Sequence, residues 1–214
     1  MEQETTIPLR GLSLGAIVLE PKEPRGLVIF VHGAGSNRLS PRNLSVARAL
    51  EEAGFTCLLF DLLTPEEIED PDMRLDLSLM ARRLSEATTW ASERGPGVER
   101  PMGYFGSSTG SAVAFKAVTS GQTHIRAIVS RGGRPDLVLG DLRKVRIPSL
   151  LIVGGEDYQT RQLNERAIEQ LHGPRELRIV PDAGHLFEEA GAMEAVIEQA
   201  KEWFGEYLRS ATNG

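Results

Sequence analysis

Residues 104–110 read Tyr-Phe-Gly-Ser-Ser-Thr-Gly, after one apolar run and before a second that extends from Ser111 to Val118. This pattern predicts a strand, a tight turn and a helix, with G-x-S-x-G at the turn and Ser108 at its apex. A serine on such a turn is exposed above the sheet, near backbone N–H groups and the N-terminus of a helix. Gly106 and Gly110 fit the turn because it leaves no room for Cβ atoms. Ser108 is therefore a candidate nucleophile.

Strands and helices alternate along the sequence from residue 27 to its end. Apolar residues at three- and four-residue steps predict the helices. Short apolar runs predict strands at residues 27–31, 55–62, 102–105, 125–130, 149–153 and 176–180. Before them, residues 5–9 and 14–20 around Gly11 predict an antiparallel hairpin. No linker-like segment divides the chain, so we expect one α/β domain over residues 1–214, with a mostly parallel sheet and helices on both faces.

Composition and charge exclude several classes of function. The chain has 214 residues, of which 41% are hydrophobic and 25% charged, as is ordinary for a globular protein. Its formal net charge of −6 argues against a nucleic-acid binder, whose surface would be basic. Residues 1–6 contain no hydrophobic signal core, and no apolar run approaches the roughly 18 residues that a membrane span needs. We therefore expect a cytoplasmic protein that binds neither nucleic acid nor membranes.

The single cysteine, Cys57, lies in the apolar run at residues 55–60. One cysteine excludes an intrachain disulfide, and the apolar surroundings predict a buried strand residue rather than a nucleophile. No cluster of cysteine and histidine residues is available to bind a metal. We accordingly expect that neither a metal nor another cofactor is required.

A serine nucleophile needs a base to take its proton and a third group to orient that base. Sites in open α/β sheets gather at the carboxyl ends of the strands. His185 follows the last predicted strand and is the candidate base. Asp157, after two glycines that allow a sharp turn, is the candidate acid, with Asp136 as the alternative. The order Ser108, Asp157, His185 matches the order of nucleophile, acid and base in hydrolases built on this kind of turn.

A tetrahedral intermediate also needs N–H donors for its oxyanion. One candidate is the backbone N–H of Thr109, directly after the nucleophile. The second is the N–H of Ala34, in the segment His32-Gly33-Ala34-Gly35 that follows an inner strand. The alternative is that the two glycines of this segment only shape a turn.

Four motifs together resemble the α/β-hydrolase superfamily: residues 32–35, G-x-S-x-G at 106–110, G-x-x-D at 154–157, and Gly184-His185. The segment Arg-Gly-Gly-Arg-Pro-Asp at 131–136 and the short chain look most like its dienelactone-hydrolase-like branch. The resemblance implies an eight-stranded sheet and a triad of Ser108, Asp157 and His185. Dienelactone hydrolases proper use cysteine as nucleophile, where this chain has serine. The substitution makes dienelactone a doubtful substrate but preserves acyl transfer as the expected chemistry.

The loops around the predicted site suggest an open cleft. Residues 131–148 are too few to form a helical cap domain, and an uncapped site favours small or exposed acyl groups. Residues 64–72 are acidic, lack clear periodicity and are predicted to form a rim loop. Arg131 and Arg134 could bind a substrate carboxylate at the rim, or form structural ion pairs with Asp136 or Asp141.

These observations predict a serine esterase that cleaves a small-molecule ester through an acyl-enzyme. Two alternatives remain open. A thioesterase or acyltransferase would use the same three residues, and a non-catalytic scaffold could retain the fold without the activity. The sequence does not indicate the oligomeric state or the physiological substrate.

Overall fold

Eight strands form one sheet in the computed structural model, which describes residues 1–209. The strands are β1 Glu2–Leu9, β2 Leu12–Leu19, β3 Leu27–Val31, β4 Thr56–Phe60, β5 Met102–Ser107, β6 Ile125–Arg131, β7 Ser149–Gly154 and β8 Arg175–Val180. Their order across the sheet is β1-β2-β4-β3-β5-β6-β7-β8. The β1–β2 and β2–β4 pairs are antiparallel, and all other neighbouring pairs are parallel. The predicted fold class, including the antiparallel N-terminal hairpin, is confirmed.

Helices connect the parallel strands. They are α1 Pro41–Glu52, α2 Pro65–Glu69, α3 Leu77–Arg94, α4 Thr109–Thr119, α5 Leu139–Leu142, α6 Tyr158–Ile168 and α7 Ala192–Tyr207. Two short 3₁₀ turns cover Met73–Leu75 and Pro135–Val138. Between β6 and β7 the chain forms only the second of these turns and α5, so no large cap is present there. Among residues 1–209, none of the helices has both the length and the apolar character needed to cross a membrane.

The sheet separates two hydrophobic cores. Along β3, Ile29 faces one core while Val28 and Phe30 face the other, as the two-residue period of a strand requires. Helices α3 and α4 cover the first core, and α1 and α7 cover the second. All five residues of β3 are buried, which explains why this strand is a continuous apolar run.

Cys57 is buried in β4, as predicted. Its thiol donates a hydrogen bond to the carbonyl oxygen of Ala47 at 3.3 Å. Burial raises the pKa of this thiol well above its ordinary value, which keeps it protonated and unreactive. The cysteine is therefore part of the core.

Residues 64–72 do not form the irregular loop that we expected. Instead, Thr64 caps α2: its hydroxyl accepts the N–H of Glu67, and the carboxylate of Glu67 accepts the N–H of Thr64. Glu67 also forms an ion pair with the buried Arg83 of α3. The helix has only five residues and no buried ones, so it leaves no periodic apolar pattern. The T-x-x-E spacing of a capping box was its only sequence signal.

Candidate active site

Ser108 lies at the turn between β5 and α4, with φ 51° and ψ −126°. Few residues other than glycine adopt such a positive φ, so this backbone is strained. Close packing holds it in place. A Cβ on Gly106 would lie 2.7 Å from the Cα of Ser111, and one on Gly110 would lie 2.1 Å from the carbonyl oxygen of Val31. Glycine is required at both positions because the chain passes so close.

Asp157 and His185 meet at the carboxyl end of the sheet. Asp157 is the N-cap of α6, and His185 lies in the loop after β8. His185 Nδ1 lies 2.6 Å from Asp157 Oδ2, and Asp157 Oδ1 accepts the N–H of Thr160 at 3.3 Å. Burial alone would raise the pKa of Asp157, but hydrogen bonds from Thr160 and His185 outweigh it, and the pKa lies below its ordinary value. The ionised carboxylate therefore holds the proton of the imidazole on Nδ1 and leaves Nε2 free to act as a base.

Ser108 and His185 both lie next to the segment around Gly132. The N–H of Ser108 donates to the carbonyl oxygen of Arg131 at 3.1 Å. A Cβ on Gly132 would lie 3.2 Å from the carbonyl oxygen and 3.5 Å from the Cε1 atom of His185. Among residues 1–209, the Ser108 hydroxyl forms no hydrogen bond with the imidazole of His185. The structure thus joins Asp157 to His185 and places Ser108 on the neighbouring loop, and the catalytic roles of all three stay predictions.

The segment at residues 32–35 packs against the serine turn. A Cβ on Gly33 would lie 3.2 Å from the Cβ of Ser108. The N–H of Ala34 donates to the side-chain hydroxyl of Thr109 at 2.7 Å. The two residues assigned as oxyanion donors are therefore adjacent in space, although the sequence did not reveal the bond between them.

His32 links this segment to the chain just after β4. Its Nδ1 donates to the carbonyl oxygen of Gly33, and its Nε2 accepts the N–H of Leu62, each at 3.0 Å. Burial lowers the pKa of His32, so the ring is neutral at pH 7, as this bonding pattern requires. We assigned this residue no role from the sequence alone. The sequence signal for such a role was a histidine that directly follows a predicted inner strand and precedes a glycine.

Similarity to known proteins identifies the family of this chain. No protein-family model matches the chain. The chain is 44% identical to a dienelactone hydrolase from Anabaena variabilis, with coverage of 98% of this chain and 99% of that one, and a TM-score of 0.94. The chain belongs to the dienelactone hydrolase family. The predicted resemblance is therefore confirmed, including the small sheet without a large cap.

Solved structures of lower sequence identity share the fold of this chain. Est1E from Butyrivibrio proteoclasticus is 17% identical, with 95% of this chain and 98% of that one covered and a TM-score of 0.81. An esterase domain from Rhodothermus marinus is 16% identical, with 97% and 99% covered and a TM-score of 0.76. Both align along nearly their whole length.

Two curated relatives come from Mycobacterium tuberculosis and are named, provisionally, as phosphoribosyl transferases. Each is 47% identical to this family member over 188 residues, which is 88% of this chain but 42% of the relative. The chain thus spans less than half the length of the curated relatives it matches. Their name describes proteins more than twice as long as the matched segment.

The two arginines of the predicted rim have different environments. Arg134 binds both carboxylate oxygens of Asp136, through Nε at 2.8 Å and Nη2 at 2.9 Å. Arg131 is only 8% exposed, and its buried Nη1 has no hydrogen-bond partner among residues 1–209. Burial, with a smaller effect of Arg42, lowers the pKa of Arg131 to about 10. Arg134 forms one of the ion pairs considered above, and a contact of either arginine with substrate stays a prediction.

The carboxyl edge of the sheet also carries exposed apolar side chains. Leu186 follows His185 directly and is 42% exposed, and Tyr158 follows Asp157 and is 61% exposed. Leu137, in the loop after β6, is 44% exposed. These three exposed apolar residues therefore lie next to the predicted acid, next to the predicted base, or in the segment after β6. We name these three residues the apolar rim.

Proposed function

We propose that this member of the dienelactone hydrolase family is a serine hydrolase that cleaves carboxylic esters through an acyl-enzyme. One observation carries the proposal. A 2.6 Å hydrogen bond between His185 Nδ1 and the Asp157 carboxylate orients the imidazole, and Ser108 lies nearby on a strained turn. The family assignment and the esterase names of structures with the same fold support a hydrolase.

In the acylation step, Ser108 Oγ attacks the ester carbonyl carbon while His185 Nε2 takes the hydroxyl proton. The carbonyl π electrons move to its oxygen, and backbone N–H groups at the N-terminus of α4 and in residues 32–35 stabilise the oxyanion. The intermediate then collapses: the bond to the leaving alcohol breaks, and His185 gives its proton to that alcohol. Asp157 remains ionised and stabilises the imidazolium.

In the deacylation step, His185 takes a proton from water, and the oxygen of this water attacks the acyl carbon. Collapse of the second tetrahedral intermediate breaks the bond to Ser108 Oγ, which recovers its proton from His185. The products are a carboxylic acid and the free enzyme.

The cleft favours substrates with a small or exposed acyl group next to an apolar group. Without a large cap, little of a long chain could be enclosed. The apolar rim of Leu137, Tyr158 and Leu186 would contact an aryl or short alkyl group beside the reacting carbonyl. A contact between Arg131 or Arg134 and a substrate carboxylate remains a second, separate proposal for the rim.

Thioesters and alcohol acceptors would use the same three side chains, so a thioesterase or acyltransferase is the second candidate function. The names of the Mycobacterium tuberculosis relatives do not add a phosphoribosyl transfer proposal, because the match covers only 42% of those proteins. A non-catalytic scaffold is less consistent with a half-buried Asp157 carboxylate that is hydrogen-bonded to His185.

The test is turnover of p-nitrophenyl butyrate and of a matched thioester by purified protein. Ser108→Ala should lower kcat by roughly 10⁴-fold or more. Ser120→Ala, at the exposed far end of α4, is the control and should leave kcat unchanged. A fluorophosphonate probe should label wild type on Ser108 alone. Turnover by Ser108→Ala at the wild-type rate, or labelling of another serine, would contradict the proposal.

A further inference from the structure

The hydroxyl of Thr109 lies where the two oxyanion donors of the proposed function meet. Thr109 is the first residue of α4, and its own N–H is one of these donors. The other donor, the N–H of Ala34, points at Thr109 Oγ1 at 2.7 Å. One of the two N–H groups is therefore already engaged by a side chain before any substrate binds.

This hydroxyl has a proton that is not used within the described part of the chain. A threonine hydroxyl carries one donor proton and two acceptor lone pairs. One lone pair accepts the Ala34 N–H, and among residues 1–209 no hydrogen bond is donated by Thr109 Oγ1. Thr109 is half-buried and Ala34 is exposed, so the hydroxyl borders the open cleft.

The hydroxyl also lies beside the nucleophile. An ideal Cβ on Gly33 would be 3.2 Å from the Cβ of Ser108 and 3.4 Å from Thr109 Oγ1, so both groups border the same point. In the proposed function, the carbonyl that Ser108 attacks binds beside Ser108 and therefore near Thr109 Oγ1. A proton on Thr109 Oγ1 is thus within reach of the oxygen that gains charge during the attack.

We propose that the Thr109 hydroxyl is itself a donor of the oxyanion hole: it accepts the N–H of Ala34 and donates its own proton to the oxyanion, so that this N–H acts on the oxyanion through the hydroxyl rather than directly. This inference rests on the proposed function. No proton is transferred, because the hydroxyl only turns its O–H bond toward the charge. Its acceptance of the Ala34 N–H polarises the hydroxyl and makes it a stronger donor.

The same bond orients the hydroxyl in advance. Threonine has two common χ1 rotamers at the start of a helix, and the 2.7 Å contact with Ala34 selects one of them. A donor that is already oriented stabilises the transition state without reorganisation. The opposite role is also chemically possible: the hydroxyl could block Ala34 and have to move away before catalysis, in which case its removal would accelerate the reaction.

Substitution of Thr109 distinguishes these roles. Thr109→Val keeps the branched shape and removes the hydroxyl, and we expect kcat for p-nitrophenyl butyrate to fall by about 10²-fold with KM within threefold. Thr109→Ser should recover most of that loss. Thr119→Val, at the other end of α4 and also half-buried, is the matched control and should retain wild-type kcat.

A transition-state analogue provides the second readout. A trifluoromethyl ketone forms a tetrahedral oxyanion on serine, so its inhibition constant for Thr109→Val should rise by the same factor by which kcat/KM falls. Thr109→Ala, which also lacks the hydroxyl, should show the same two changes and covers the case in which valine disturbs the fold. Thermal unfolding of each variant checks that fold.

Two outcomes would overturn the inference. In the first, Thr109→Val and Thr109→Ala have the same kcat and the same inhibitor affinity as wild type; in the second, either variant has a higher kcat or a higher inhibitor affinity than wild type. These outcomes are distinct from failure of the proposed function. If that function is wrong, wild type itself shows no Ser108 labelling and no ester turnover. If wild type is active and the two variants equal it, only the role of the Thr109 hydroxyl is wrong.

Discussion

The loop that carries the proposed nucleophile, Ser108, and the loop that carries the proposed base, His185, are held in place by different means. The backbone of Ser108 is enclosed: its N–H donates to Arg131 and its carbonyl oxygen accepts the N–H of Arg134, each at 3.1 Å. The side chain of His185 is 39% exposed, and its recorded hydrogen bond is the one to Asp157. The proposed nucleophile is therefore positioned by the main chain and the proposed base by a side-chain contact.

This difference separates changes that disable the chemistry from changes that damage the fold. Loss of the Asp157 carboxylate should misplace the imidazole while the sheet stays intact. Added volume at the serine turn should instead push strands and helices apart, because the neighbouring atoms are backbone. The four predictions that follow test this distinction, from the largest expected effect to the smallest.

Asp157→Asn should have the largest effect, because the amide can no longer hold the Nδ1 proton of His185. By analogy with the same change in other triads, we expect kcat to fall by about 10⁴-fold, or roughly 5 kcal/mol in activation free energy. The free energy of unfolding should change far less, since an asparagine still caps α6. Ester turnover and urea unfolding on the same preparation give both values. Asp136→Asn is the control; if it were the more damaging variant, the acid would be Asp136.

Gly110→Ala should disrupt the nucleophile loop through the fold. The new Cβ would lie 2.1 Å from the carbonyl oxygen of Val31 and 2.6 Å from that of His32, so β3 and α4 must separate. We expect the free energy of unfolding to fall by about 3 kcal/mol or more. Gly140→Ala is the matched control, because a Cβ there meets nothing within 4 Å. Equal urea midpoints for the two variants would show that the turn tolerates a Cβ.

Phe187→Leu should loosen the base loop. Phe187 is 2% exposed, packs in the core beside α7 and follows His185 by two residues. The smaller side chain should lower the free energy of unfolding by about 1–2 kcal/mol and reduce kcat through the Asp157–His185 contact. Leu186→Ala, at an exposed position of the same loop, should change stability by less than about 0.5 kcal/mol. Paired measurements of Tm and kcat test this, and an unchanged Tm for Phe187→Leu would contradict it.

The contrast between the loops also explains how far the sequence could be interpreted. Buried parallel strands leave continuous apolar runs, and their carboxyl ends share one edge, so Asp157 and His185 could be paired across 28 residues from topology alone. The bond from Ala34 to Thr109 Oγ1 depends on two loops 75 residues apart and on one rotamer. The periodicity of apolar residues in the sequence does not indicate such a contact. The helix α2 was missed for a related reason, since its side chains are not buried.

The smallest expected effect concerns His32, which links the Ala34 loop to Leu62, just after β4. Burial holds the pKa of His32 below its ordinary value, so between pH 6.5 and that lower folded-state pKa the unfolded chain binds more protons than the folded one. The stability that the neutral ring contributes is therefore complete above about pH 6.5 and declines as the pH falls through this window, by at most about 1.4 kcal/mol per pH unit. The lowered pKa of Asp157 acts separately, because its contribution is lost only below about pH 4.

His32→Gln isolates this effect, since a glutamine oxygen can still accept the Leu62 N–H but does not titrate near neutral pH. The variant should lose less free energy of unfolding between pH 8 and pH 5 than wild type does. The other three histidines are common to both proteins, so the difference between their urea-unfolding profiles belongs to position 32. Parallel profiles over this range would mean that the Ala34 loop does not depend on a neutral His32. The proposed nucleophile side of the site would then be held by glycine packing, backbone bonds and the contact between Ala34 and Thr109.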